Sequence, residues 1–212
     1  MKLYQELVTA VSELDEGEVM QLIAQTIEEG TENIPEAIKA CQEGLEIVGE
    51  RFSSEEYFVG DLIYAGEMMN GALRVLKDAM GQDRVEQLGK VIFCTVEGDL
   101  HDIGKNIVKS MLEVAGFDVV DLGVDTPAET ILKAVQETGI RIVLLSGVLT
   151  LSLESMERTI KLLAENGIRN QVKVLIGGNP VSAEWCQKMG ADAWAVNPQD
   201  TVNYCRQWAK EM

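Results

Sequence analysis

From Lys90 onward the chain repeats one pattern: a short apolar run rich in β-branched residues, an amphipathic stretch, then another run. The runs Val91 to Val96, Phe117 to Leu122, Ile140 to Ser146, Val172 to Ile176 and Ala193 to Val196 have the length and composition of strands. Helical stretches separate them, and strands that are apolar on both faces must be covered on both. The pattern therefore predicts an α/β fold: a five-stranded parallel sheet with flanking crossover helices.

The first part of the chain has no such runs. Leu3, Leu7, Val11 and Leu14 recur at helical spacing, and Val19, Leu22, Ile23 and Ile27 form a second stripe ending at Gly30. Pro35 opens a third helix, where its missing N–H costs little, with Ile38, Cys41, Leu45 and Val48 on one face. After the loop around Ser53 to Gly60, a fourth helix carries Leu62, Ala65, Met69, Leu73, Leu76 and Met80. Four helices with short connections predict a small bundle over residues 1–85. The polar, Gly-flanked segment Gly81 to Gly89 reads as a linker to a second domain over 90–212, and 212 residues suffice for two modest domains.

Charge narrows the partners. With 35 acidic and 18 basic residues the net charge is −17, which argues against nucleic acid or anionic lipid as a ligand. The helical part holds most of that excess, which reads as a solvated surface in preference to a dedicated docking face. The longest apolar runs, such as Ile142 to Val148, are far too short to cross a bilayer, and Glu6, Glu13, Asp15 and Glu16 break any signal-sequence pattern. A cytoplasmic location without membrane attachment is expected. Cys41, Cys94, Cys186 and Cys205 show no paired spacing, so reduced, mostly buried thiols are expected in place of disulfides or a zinc site.

In an open parallel sheet, ligands bind beyond the carboxyl ends of the strands, where strand order reverses. The loops to read are thus Glu97-Gly98-Asp99-Leu100-His101-Asp102-Ile103-Gly104-Lys105-Asn106, Ser146-Gly147-Val148-Leu149-Thr150-Leu151-Ser152 and Gly177-Gly178-Asn179-Pro180. His101 is the only histidine, and a neutral imidazole is a good ligand for a soft metal. Asp99, two positions earlier, can accept the other ring N–H and so fix the tautomer. Taken alone, His101 reads better as a solvent-exposed loop residue than as a ligand. One histidine cannot complete the coordination sphere of a bare ion, but a metal held in a macrocycle needs only one protein ligand, which points to a porphyrin or a corrin. Phosphate binding fits less well: Gly98 to Gly104 with Lys105 has five intervening residues where a P-loop has four, and Asn106 replaces the magnesium-binding hydroxyl. No G-x-G-x-x-G follows the first strand, and Ser146 stands where a phosphoacceptor receiver has aspartate.

Asp99-x-His101-x-x-Gly104, Ser146-x-Val148 and Gly177-Gly178, separated by 41 and 28 residues, together resemble the D-x-H-x-x-G, S-x-L, G-G fingerprint of cobalamin-binding domains. The likeness extends to the helical part, which is similar to the cap preceding this domain in methionine synthase and in the small corrinoid proteins of methanol, methylamine and methylated-betaine methyltransferase systems. The resemblance implies a flavodoxin-like (Rossmann-like) sheet and cobalamin as cofactor, with cobalt reached through the corrin. It makes His101 the lower axial ligand in place of dimethylbenzimidazole, Asp99 its hydrogen-bond partner and Ser152 the third member of the relay. Gly98, Asp102, Ile103, Gly104 and Leu149 belong to the same cofactor-binding loops; Ser146 and Thr150 would contact the displaced nucleotide tail, and Gly177 and Gly178 would let it pass close to the backbone. Phe58, Met68 and Met69 match the cap region over the upper corrin face, with bundle core as the alternative for the two methionines, since adjacent helical positions do not both point inward. Val148 replaces the Leu of S-x-L, and Gly60 stands where the cap often has proline.

By the same resemblance the chain is a methyl carrier without catalytic residues of its own, a subunit serving other enzymes. Cobalt(I) accepts a methyl group from a substrate:corrinoid methyltransferase, and the methylcobalamin form, methylcobalt(III), delivers it to a methylcorrinoid:folate or thiol methyltransferase, with a reductive activase as a further partner. A cobalamin-dependent sensor or regulator is the alternative from another class. Such proteins usually add an output element, and residues 1 to 30 are acidic without basic recognition residues. A mutase subunit would lack the helical cap.

Overall fold

The computed structural model describes residues 2–80 and 88–211, and the chain divides into two compact units, residues 1–87 with Val114–Gly116, and Leu88–Glu113 with residues 117–212. Most of the segment read as a linker, residues 81–87, and the side chain of Met80 lie outside the described residues. The first unit contains α1 (Lys2–Ser12), α2 (Glu16–Glu29), a 3-10 turn at Thr31–Asn33, α3 (Ile34–Ser53) and α4 (Val59–Met80). Local chemistry sets these boundaries. The Asp15 carboxylate accepts the Glu18 N–H at 3.0 Å and caps α2, whose first turn adds Glu16 and Glu18 to the positive end of the helix dipole. This cap ends α1 early, so Leu14, expected within the first stripe, lies in the turn with φ +59°. Pro35 sits in the first turn of α3, as its fixed φ favours. At the start of α4 the Asp61 carboxylate accepts the Phe58 N–H at 2.7 Å, the reciprocal half of a capping box.

Helices α1 and α3 cross closely at Gly44, where a Cβ would stand 2.6 Å from the Val11 Cβ. Arg51 Nη1 and Tyr57 Oη both donate to the Ser12 carbonyl at 2.8 Å, tying the loop before α4 to the end of α1. In α4 the buried residues are Leu62, Ala65, Met68, Met69, Ala72, Leu73 and Leu76. The expectation that Met68 and Met69 cannot both be buried does not hold, because a buried stripe of this breadth covers two neighbouring positions 100° apart on the helix.

The second unit alternates β1 (Gly89–Thr95), α5 (Asp102–Val114), β2 (Phe117–Asp121), α6 (Ala128–Thr138), β3 (Ile142–Ser146), α7 (Ser152–Glu165), a 3-10 turn at Arg169–Gln171, β4 (Lys173–Gly177), α8 (Ala183–Met189), β5 (Ala193–Ala195) and α9 (Pro198–Glu211). The five strands form one parallel sheet in the order β2-β1-β3-β4-β5, with Val91 opposite Val119, Ile92 opposite Val143, Leu144 opposite Leu175 and Ile176 opposite Trp194. This is the flavodoxin-like order, and its reversal point lies between β1 and β3. Alternate residues serve opposite faces: Ile92, Cys94, Val143, Leu145, Val174 and Ile176 pack with Ile131 and Val135 of α6 and Met156, Ile160 and Leu163 of α7. Phe93 serves the other face, beneath Lys105 of α5. No helix among the described residues is long and apolar enough to cross a membrane.

Candidate functional site

Apolar strands leave few buried polar groups in this unit, and most of them meet at one place: Thr95, Asp99, Lys105, Thr126 and Ser152 are all buried near the carboxyl ends of β1 and β3. Asp99 is fully buried and is the hub. Its Oδ1 accepts the His101 backbone N–H and pairs with His101 Nδ1, both at 2.9 Å. Its Oδ2 accepts from Ser152 Oγ at 2.6 Å, Val148 N at 2.7 Å and Leu149 N at 3.2 Å. Burial pushes the Asp99 carboxyl up, but the bonds from Ser152, the His101 and Val148 amides and the His101 ring outweigh it, holding the group well below the usual carboxylate range. An ionised carboxylate only accepts, so it selects the imidazole tautomer with the proton on Nδ1 and a lone pair on Nε2. The His101 side chain is 52% exposed, so this lone pair belongs to an open ring.

The remaining sequence-predicted residues fall around this hub. Gly98 precedes it with φ +84°. Asp102 opens α5 and accepts from Asn106 at 3.2 Å, and Ile103 and Gly104 lie exposed in the first turn. Ser146 is half-buried at the end of β3 and Thr150 is exposed; neither hydroxyl has a partner among the described residues, and both remain available to a ligand. In the first unit Phe58 is exposed, whereas Met68 and Met69 are buried. Lys105 does not behave as a P-loop lysine: its amine is buried and bonded to both Asp121 oxygens at 2.8 and 2.7 Å, so it is not free to meet a phosphate.

The two glycines after β4 have different reasons to be glycine. A Cβ at Gly178, with φ +117°, would overlap the Gly147 carbonyl, so the loops after β3 and β4 can approach only without a side chain there. A Cβ at Gly177 would meet nothing closer than the Ala195 carbonyl at 3.5 Å, an ordinary contact. Nothing among the described residues of the chain therefore requires glycine at position 177. Gly178→Ala is expected to cost about 1–3 kcal/mol of stability as an overpacked and strained position. Gly177→Ala should leave thermal unfolding unchanged and weaken cobalamin binding; unchanged affinity in a titration would remove the ligand-side reading of Gly177.

Sequence reasoning does not single out Thr95, Gly147 and Asp125. A Cβ on Gly147 would collide with Ser152, so this glycine admits the hydroxyl to Asp99. Thr95 and Asp125 hold the backbone of the His101 loop, and the one sequence signal is a hydroxyl closing an otherwise apolar strand. A rim of exposed apolar side chains is equally hidden in the sequence: Leu100 and Ile103 are each 69% exposed, Leu151 is 71%, and Val124, Val148, Leu149 and Val196 join them. All stand on loops after β1, β2, β3 and β5 or in the first turn of α5. A wide apolar rim around one open imidazole nitrogen suits a broad, largely apolar macrocycle that carries a metal. The residues present fit a corrin.

Residues 89–202 match the B12 binding domain family, and residues 3–77 match a second family of the same description. A trimethylamine corrinoid protein of Methanosarcina acetivorans is 35% identical over 93% of this chain and 92% of its own. The crystal structure of a cobalamin-binding protein from Desulfitobacterium hafniense is 45% identical, covers 97% of this chain and 98% of its own, and superimposes with a TM-score of 0.87. The methanol:cobalamin methyltransferase complex from Methanosarcina barkeri contains a chain 25% identical, covering 100% of this chain and 81% of its own, with a TM-score of 0.81.

Proposed function

The chain belongs to the B12-binding corrinoid proteins of methyltransferase systems, and from that premise we propose that it carries methyl groups on cobalamin with His101 as its ligand to cobalt. The observation that carries the ligand assignment is the buried Asp99 carboxylate, which fixes the proton on His101 Nδ1 and leaves Nε2 open on the apolar rim. Cobalamin, when bound, supplies a cobalt centre that takes up and releases methyl groups. The protein's own residues do the rest. Leu100, Ile103 and Leu149 exclude water beside the imidazole, Asp99 with Ser152 orients the ring, and Ser146, Thr150 and the gap at Gly177 receive the nucleotide tail. Phe58, exposed in the first unit, is offered to the cofactor, whereas the buried Met68 and Met69 serve the bundle core.

A substrate-specific methyltransferase is the partner that loads the carrier, in keeping with the assembly formed by the Methanosarcina barkeri relative. A second methyltransferase acting on a folate or thiol unloads it, and a reductive activase restores it. The cytoplasm suits its free cysteines, of which Cys41, Cys94 and Cys205 are pushed up to about 12 by burial and are poor nucleophiles.

Because His101 is the only histidine, labelling histidine with nitrogen-15 marks a single imidazole. Electron paramagnetic resonance of the bound cobalt(II) form should then show each line split as a doublet, and His101→Ala should lose it. A triplet in the labelled wild type would mean that the cofactor's own base is the ligand, and the assignment would be wrong.

A further inference from the structure

Asp99 is gripped from two sides. Its carboxylate is held by the start of α7 and by His101, as described above. Its backbone is held by a different set, centred on Asp125 in the loop between β2 and α6. Asp125 Oδ1 accepts the Gly98 N–H at 2.7 Å, and the Asp125 N–H points to both the Asp99 carbonyl and Thr95 Oγ1, each at 3.0 Å. Thr95 Oγ1 in turn donates to the Asp99 carbonyl at 2.6 Å. Asp125 makes these contacts with φ +51°, a conformation uncommon for a residue with a side chain. The peptide it restrains is the most mobile kind in the loop: Gly98 is exposed, has φ +84° and nothing within 4 Å of where a Cβ would be. Without Asp125 Oδ1, the Gly98 amide has solvent as its partner, and the turn into Asp99 keeps only the Asp99 N–H on the Val96 carbonyl at 3.0 Å and the bonds to the Asp99 carbonyl.

We infer that Asp125, with Thr95, is a positioning residue for the lower ligand: it locks the Gly98–Asp99 backbone so that the Asp99 carboxylate meets His101 Nδ1 in the geometry that fixes the tautomer. The inference rests on the reading of His101 as the cobalt ligand and extends it to a loop that makes no hydrogen bond to the imidazole among the described residues. A carboxylate anchored to Ser152, Val148 and Leu149 at one oxygen can keep its other oxygen on the ring only if its own backbone stays in place. Displacements of about 1 Å are enough to spoil such a constellation.

Three variants separate the side-chain acceptor from the backbone conformation. Asp125→Asn keeps an Oδ1 acceptor and tolerates the left-handed φ. Asp125→Gly keeps the φ and the backbone N–H but removes the acceptor. Thr95→Val removes the hydroxyl at nearly constant volume and serves if Asp125→Gly does not fold. With nitrogen-15 histidine, the imidazole shifts of the cofactor-free protein report the tautomer, and the doublet of the bound cobalt(II) form reports ligation by His101. Asp125→Asn should match wild type in both. Asp125→Gly and Thr95→Val should show a mixed tautomer and an equilibrium between ligated and unligated His101 shifted about tenfold toward the unligated form, the size seen when partners of metal-bound histidines are removed. If Asp125→Gly, or Thr95→Val in its place, keeps the single tautomer and the full doublet, the inference is overturned while the ligand reading stands. A wild type without the doublet would overturn both.

Discussion

Asp99→Ala is expected to cost the α/β unit about 3–5 kcal/mol, the range for removing one partner from a buried, charged hydrogen-bond network. The loss is large because the carboxylate has no slack: the Ser152 hydroxyl, the Val148, Leu149 and His101 amides and the imidazole all aim at its two oxygens. Alanine leaves those donors in a site closed to water, with only the half-exposed imidazole able to turn elsewhere. Asp99→Asn is expected to cost less and to do something different. Its single carbonyl oxygen is best placed toward Val148, Leu149 and Ser152, where two amide N–H groups have no alternative. Its NH2 then faces His101 Nδ1, at the expense of the bond from the His101 amide, and selects the tautomer with the proton on Nε2, which removes the lone pair a metal needs. The Asp99→Asn variant would thus fold yet lose the nitrogen-15 doublet. All three tryptophans, Trp185, Trp194 and Trp208, lie in this unit, so urea unfolding followed by their fluorescence reports it directly. An Asp99→Ala midpoint within the error of wild type, or an Asp99→Asn protein with full ligation by His101, would refute this account.

Strands proved legible in the sequence because a strand buried on both faces leaves no polar alternation to misread. The runs starting at Val91, Phe117, Ile140, Val172 and Ala193 fall within two residues of β1 to β5. Leu14 was misleading for the opposite reason: its spacing fits the first helix, but the capping chemistry of Asp15 ends that helix before it. At the site, residues that act through side chains of distinctive chemistry, Asp99, His101 and Ser152, could be named from motif spacing. Asp125 and Gly147 could not, because one works by gripping backbone groups and the other by having no side chain, and many sequences meet either need. Lys105 illustrates a third limit. Its place after a glycine-bounded loop resembles that of a P-loop lysine, a reading that the loop length and Asn106 already disfavour, but that the side chain turns inward to Asp121 is visible only in the fold. Exposure has the same character: Leu100, Ile103 and Leu151 are apolar in sequence, and nothing but the fold tells that they stand on a rim and not in the core.

The pairing that takes Lys105 out of the ligand site sets the acid stability of the same unit. Burial pushes the Asp121 carboxyl up, but Lys105, the Gly123 amide and Lys109 more than compensate and bring it from 3.8 down to about 2. A carboxyl whose folded value is depressed stabilises the fold above its unfolded value and loses that contribution as pH falls through the folded value. Asp121 thus contributes about 2 kcal/mol above pH 4, lost progressively between about pH 4 and pH 2. Asp121→Asn should remove this pH-dependent part and also strand the Lys105 ammonium, which is 3% exposed, for a total of about 3–5 kcal/mol at neutral pH. Lys105→Met should cost less, since Lys109 at 3.0 Å and the Gly123 amide at 2.9 Å still serve the carboxylate. The double variant Asp121→Asn/Lys105→Met should recover much of the loss, because no buried charge is left without a partner, and the cycle should be strongly non-additive. Tryptophan-detected urea unfolding from pH 7 to pH 2 checks all three statements. Additive losses, or a stability curve for Asp121→Asn that runs parallel to wild type below pH 4, would show that the Lys105–Asp121 pair does not set the acid limit of this unit.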